Sequence, residues 1–206
     1  MMDNSFDSEN LSGESFEDDR ETKNQTDKEK VKNKIYEERE EPEIKNLNLI
    51  KSISNTLITI LEGNKKLEKY KDIIKKQSKM AFSTNSIPRI SLEDYLIRIQ
   101  TYSGIENNTL ILALILIDHI CKKTNLILTY YNIHRVLFGS ILISIKYNED
   151  TYYDNKFYAE IGGVDFKELK IIEYSILELN DFNVFVNNRE FEKYRKSLED
   201  FNHNSQ

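Results

Sequence analysis

The stretch 107-NNTLILALILIDHICKK-123 decides the fold: from Leu110 to Ile117 no polar side chain interrupts it, and Asp118 is its first charge. Wound as a helix, the run has no polar face, and a helix that is apolar all round is one surrounded by other helices. A second run, 131-YNIHRVLFGSILISIKYNED-150, has the same character and carries Gly139 and Ser140 at its middle. Both are about 15 residues long without internal turn signals, which favours buried helices over buried strands despite the abundant isoleucine. The small pair at 139–140 would let the second helix approach the first closely.

Amphipathic helices are expected around this central pair. Leu47, Ile50, Ile53 or Ser54, Leu57, Ile58 and Leu61 recur at helical spacing, with a stop expected near Gly63-Asn64. A lysine-rich connection and Pro88 follow, then Ser91-Leu-Glu-Asp94, a capping-box pattern that opens a helix striped by Leu92, Tyr95, Leu96 and Ile99 and closed at Ser103-Gly104. Asn155 to Ile161 reads as a short helix ended by Gly162-Gly163. Asp165-Phe-Lys-Glu168 is a second capping-box pattern, leading into Leu169, Ile172, Ile176 and Leu179. A last amphipathic piece spans 188–201, with Phe191, Tyr194 and Leu198 on one side. The expected fold class is all-α: five helices, two central and three around them, with an additional helix at each end.

Charge is unevenly placed along the 206 residues, whose net charge is −6. Residues 1–50 hold 15 acidic and 8 basic side chains, residues 51–83 hold 3 and 8, and residues 84–196 hold 15 and 13. The acidic stretch 1–43 cannot bury enough apolar surface to offset the entropy of ordering and is expected to be disordered. Within it Ser12 and Ser15 precede acidic residues, which suits either an acid-directed kinase or an unmodified tail. The near-neutral core argues against a dedicated nucleic-acid binder, and the lysines between 65 and 79 read as a solvated linker. Expected domains are therefore a 1–43 extension, a 44–83 helix and basic linker, an 84–185 core, and a 186–206 helix and tail.

The single cysteine, Cys121, fits a reducing compartment, so the cytoplasm or nucleus is expected. No signal-peptide pattern opens the chain. The longest purely apolar run, Leu110 to Ile117, is 8 residues, where a membrane helix needs about 18. Asp118, His119, Cys121 and His134 are the one group with metal-ligand residue types, but no HExxH or CxxC spacing would converge them. They are expected to be interior polar groups, with no metal and no cofactor. No Ser-His-Asp order, nucleophile elbow or phosphate loop is present, so the chain reads as a binding module and not an enzyme.

Two charges sit where the pattern asks for apolar residues. Lys146 ends the second central run, one turn after Leu142 and Ile143, so its stem runs along the apolar face and its ammonium emerges at the edge. Glu173 lies among Leu169, Ile172, Ile176 and Leu177. They suit an internal salt bridge or polar fixtures of an apolar interface, and spacing alone leaves both open.

Taken in order, 90-ISLEDYLIRI-99, 110-LILALILIDHI-120, 132-NIHRVL-137, 144-SIKYNEDTYYDN-155, 158-YAEIGGV-164 and 168-ELKIIE-173 resemble the cyclin box, and more narrowly that of the P-type cyclins. The resemblance covers about residues 46–195. It implies a regulatory subunit that binds and activates a cyclin-dependent serine/threonine protein kinase; membrane attachment and nucleic acid are not expected, from the run length and charge above. In the family the box packs against the kinase's mobile helix, and a lysine ending the third box helix and a glutamate on the fifth hydrogen-bond that contact. Those positions match Lys146 and Glu173, which with Leu142, Ile143, Leu169 and Ile172 form the expected partner surface. The chain departs from the family at Asp118-His119, where many cyclins have Asp-Arg, and at 88-PRISL-92, which keeps only the arginine and final leucine of the Met-Arg-Ala-Ile-Leu docking motif. A conventional Arg-x-Leu substrate groove is therefore not expected, and Arg89 is expected to pair with Asp118. With 21 residues after Phe185, a single box is expected. The alternative reading is a cyclin-fold scaffold for transcription factors or nucleic acid.

Overall fold

The structure, a computed structural model, describes residues 47–203, with side-chain environments to Asp200. The expectations for 1–43, Ser12 and Ser15 included, lie outside the described residues. Eight helices follow in order: α1 (Leu47–Lys65), α2 (Tyr70–Gln77), α3 (Leu92–Ser103), α4 (Asn107–Thr124), α5 (Ile133–Asn148), α6 (Asn155–Gly162), α7 (Phe166–Leu179) and α8 (Asn188–His203). No strand occurs among the described residues.

The two apolar runs are the central pair. Every residue of α4 from Thr109 to Ile117 is buried, and so is every residue of α5 from Ile133 to Ile145 except Arg135. Each fully buried leucine or isoleucine contributes about 1.5–3 kcal/mol relative to exposure, which makes this pair the main stabilising feature of the core. Gly139, however, meets α7 and not α4: a Cβ there would lie 2.7 Å from Ile172 Cγ2 and 3.0 Å from Ile176 Cγ1. The β-branched isoleucines of α7 need the space that the glycine leaves, whereas leucine and isoleucine side chains fill the α4 side.

Local chemistry sets the helix ends. Ser91 accepts from the Asp94 N–H at 3.0 Å, and Gly104, at φ +67°, closes α3 in the left-handed conformation. Asp154 caps α6 through the Phe157 N–H. The second expected capping box forms differently. Asp165 accepts from the Lys167 N–H at 2.8 Å, while Glu168 turns away to pair with Arg135 of α5. Gly162 and Gly163 divide two tasks. Gly163 adopts φ +66° to end α6, while a Cβ on Gly162 would lie 2.1 Å from Phe138 Cε1. Gly162 also accepts a 2.9 Å hydrogen bond from the Tyr95 hydroxyl.

The lysine-rich connection is more ordered than a solvated linker. It contains α2, whose lysines face water while Ile73 and Ile74 are half-buried and Gln77 is buried. Beyond it Phe82 is buried, Ser83 O accepts from Arg135 Nη1 at 2.7 Å, and the Thr84 N–H donates to Tyr131 O at 2.8 Å. α1 runs through Gly63 to Lys65, because Asn64 finds its partner in Leu128 O at 2.9 Å and not in a turn. Ile58, expected in the α1 stripe, is exposed. Ser52 Oγ donates to Leu198 O at 3.0 Å and clasps α8 to α1.

Candidate partner-binding site

Lys146 follows ten buried residues, Val136 to Ile145, and is the first side chain of α5 to emerge again. Its Nζ stands 2.5 Å from Glu173 Oε1 of α7, and the two side chains are 27% and 17% exposed. Asn155, the first residue of α6, donates Nδ2 to Glu173 Oε2 at 3.0 Å. Both carboxylate oxygens of this α7 residue are thus engaged, one from α5 and one from α6. The ammonium has three donors, and only the bond to Glu173 satisfies one among the described residues. In a pair this largely buried, desolvation offsets much of the attraction, so its net contribution to stability is small. What it provides is a positioned cation with free donors, suited to carbonyl oxygens or to the negative end of a partner helix.

The apolar residues expected beside this pair lie elsewhere. Leu142, Leu169 and Ile172 are fully buried and Ile143 nearly so. All four belong to the core, because α5 is enclosed and α7 turns its Leu169–Ile172–Ile176 stripe inward onto Gly139. The residues carrying free apolar surface nearby are Tyr147, Ile171 and Tyr174, each more than half exposed. The Tyr174 ring meets that of exposed Phe182 edge-on at 5.9 Å. Tyr147 and Tyr174 each follow directly on the charged residues, and 171 and 174 are the outward positions that the inward stripe leaves. That signal was present in the helical phase. Asn155 carried no such signal, since only the meeting of α6 with α7 brings it to Glu173.

The residues with metal-ligand types are drawn apart by separate partners. Asp118 accepts from the Tyr194 hydroxyl and pairs with Lys122 at 2.5 Å. His119 Nε2 meets Glu190 Oε1 of α8 at 2.8 Å, while His134 Nε2 bonds Ile90 O at 3.0 Å. Burial pushes the Cys121 thiol up to about 11 and holds the His134 imidazole below its usual range. Burial and the adjacent Asp118 raise the Tyr194 phenol as well. The expected Arg89–Asp118 pair does not form: Tyr194 and Lys122 occupy the carboxylate, and Arg89 faces water. From α8, Tyr194 donates its hydroxyl to Asp118, and Glu190 meets His119.

Five consecutive helices, α3 to α7, thus enclose the α4–α5 pair, with a charged edge at the end of the third. A family model described as Cyclin matches residues 9–184 of the chain. The chain belongs to the cyclin family. It is 35% identical over 118 residues to Cyclin-U3-1 of Arabidopsis thaliana, an overlap of 57% of this chain and 53% of the relative. It is 32% identical over 134 residues to PHO85 cyclin-7 of Saccharomyces cerevisiae, covering 59% and 47%. With Cyclin-P1-1 of Oryza sativa subsp. japonica it shares 32% identity over 113 residues, covering 54% and 43%. The chain therefore spans about half the length of the curated relatives it matches, and these relatives make it a P-type cyclin-box protein. The helices α3 to α7 are the five of the cyclin box, with α1, α2 and α8 flanking them.

Proposed function

We propose that this cyclin binds a cyclin-dependent serine/threonine protein kinase and activates it, contributing no catalytic group of its own. The observation that carries the reading is the Lys146–Glu173 pair. By the resemblance its positions match those that meet the kinase's mobile helix in the family, and its ammonium keeps two donors free among the described residues. Exposed Tyr147, Ile171 and Tyr174 supply apolar contact beside it. In this reading the free donors of Lys146 take carbonyl oxygens of the kinase helix in its active placement. Glu173 holds the lysine in position until then. Activation follows by population shift, because the cyclin binds the active placement of that helix more tightly than the inactive one. Moving a kinase from 1:99 to 99:1 needs about 5.5 kcal/mol of differential affinity. The site of action that goes with this reading is the cytoplasm, the nucleus or both.

The test is phosphotransfer by a P-type-cyclin-responsive kinase, with the native chain and with the double exchange Lys146→Glu plus Glu173→Lys. The exchange retains an internal ion pair but reverses the charge offered to the partner. Activation by the native chain and none by the exchanged one, at equal thermal stability, is the expected result. Equal activation by both would remove these residues from the contact. A native chain that folds and binds no kinase would favour the scaffold reading.

A further inference from the structure

A groove of about 680 Å³ opens between the C-terminal half of α1, the end of α4, the α4–α5 loop and α8. Leu57, Ile60, Ile117, Cys121, Ile127 and Leu198 give it an apolar floor. Ile60 stands 41% exposed there, an isoleucine that the fold itself does not bury. Neither the α5–α7 edge nor residues 88–92 contribute to the lining. The groove is thus separate from both the charged edge and the stretch that matches the family's docking motif.

Part of its polar lining is already occupied. Asn64 bonds Leu128 O, Thr59 bonds Asn55 O, and Asp118 is held by Tyr194 and Lys122. Thr56, Asn125 and Ser197 are the uncharged polar side chains left unengaged there among the described residues, spread over α1, the α4–α5 loop and α8 on a mainly apolar floor. Charge around it is predominantly positive: Asp118 is answered by Lys122, and Glu68 lies among the lysines that follow Asn64. Lys193 lines the groove, and Lys65, Lys66 and Lys69 continue directly from Asn64 at its end. Lys66, Lys69 and Lys193 have no ion-pair partner among the described residues, whereas Glu62 is covered by the Tyr130 hydroxyl and Lys65. The surface offered outward is apolar at the floor and cationic at the edge.

We propose that this groove docks a short segment of another protein in which apolar anchors, leucine or phenylalanine, are flanked by Asp and Glu. The anchors enter the floor at Ile60 and Ile127, and the carboxylates face the lysines. Apolar burial supplies affinity, and the charges supply register and speed of encounter. A planar membrane does not reach the floor of a concave groove. Nucleic acid would need stacking faces, and Tyr194, whose hydroxyl is fixed on Asp118, is the one aromatic in the lining. With the kinase reading, such a site would recruit acidic substrate segments.

The experiment is fluorescence anisotropy of the full chain with a panel of labelled peptides holding two leucines or two phenylalanines among Asp and Glu. Control peptides replace the apolar anchors by serine or the acids by Asn and Gln. Peptides with both features should bind, and raised salt should weaken them. Ile60→Glu should weaken binding about tenfold or more, and Lys66→Glu with Lys193→Glu about three- to tenfold. All three positions are exposed, so melting curves should be unchanged. The proposal is overturned if no peptide of the panel binds, if serine controls bind equally, or if Ile60→Glu has no effect. It is also overturned if a DNA duplex or phosphatidylserine vesicles bind more tightly with the same dependence on these residues. The assay contains no kinase, so it stands or falls independently of the kinase reading.

Discussion

Two charged clusters flank the same apolar core, Lys146–Glu173 where α5 meets α7 and Asp118–Tyr194–Lys122 where α4 meets α8. In the second, Asp118 accepts from two donors and His119 closes on Glu190, so each charge is answered from within the chain. In the first, the carboxylate is saturated by Lys146 and Asn155, but the ammonium uses one donor of three. A carboxylate that takes a hydroxyl from another helix, as Asp118 does from Tyr194, holds that helix in place. Lys122 also keeps unused donors, but its side chain is 70% exposed, whereas Lys146 is held at 27% exposure beside exposed aromatic rings and can receive a partner. The same residue types therefore act differently according to how they are held and what lies beside them.

The sharpest way to break the comparison is the charge exchange at the α5–α7 edge. If Lys146 meets the kinase in a desolvated contact, the exchange should cost about 2–5 kcal/mol of binding. Titration calorimetry would measure this, and folding stability should change by less than about 1 kcal/mol. A loss of stability as large as the loss of binding would show that both clusters are clasps. Next in size is Gly139→Ala, whose Cβ would press on Ile172 Cγ2. It should destabilise the fold by about 1–3 kcal/mol in denaturant titration, as overpacking does. It should also perturb α7, on which Glu173 is carried. Tyr194→Phe removes the hydroxyl that α8 offers to Asp118 and should cost about 1 kcal/mol. Kinase binding should be unchanged, and a binding defect would mean that the two edges are coupled.

The smallest expected effect is a pH dependence. Burial lowers the His134 imidazole, so the folded state binds its proton less readily than the unfolded chain does. Stability from this group is complete above about pH 6.5 and falls as pH drops through that range towards the lowered value. Melting temperatures should therefore decline between pH 7.5 and 5.5, less steeply in His134→Gln. Equal slopes would place the pH response on other groups.

Much of the architecture was legible because it rests on local rules. The runs of α4 and α5 lack a polar face, Ser91 and Gly104 bound α3, and Gly163 ends α6; all of these are set within a few residues of themselves. The helical character of 70–77 was masked by its lysines, although Tyr70, Ile73, Ile74 and Gln77 stand at helical spacing on its less exposed side. For the same reason Lys146 and Glu173 stood out in the pattern, as charges interrupting apolar stripes.

Which side chains surround those charges was decided by packing. Leu142, Ile143 and Leu169 were one turn from the charges in sequence and Ile172 directly beside one, and the packing of α5 against α7 turned all four into the core. Asp118 found Tyr194 across 76 residues and not Arg89, because α8 folds back along α4. Helical phase, caps and family likeness are properties of neighbours in the chain. The direction a residue faces depends on which helix arrives opposite it, and only the assembled helices decide that.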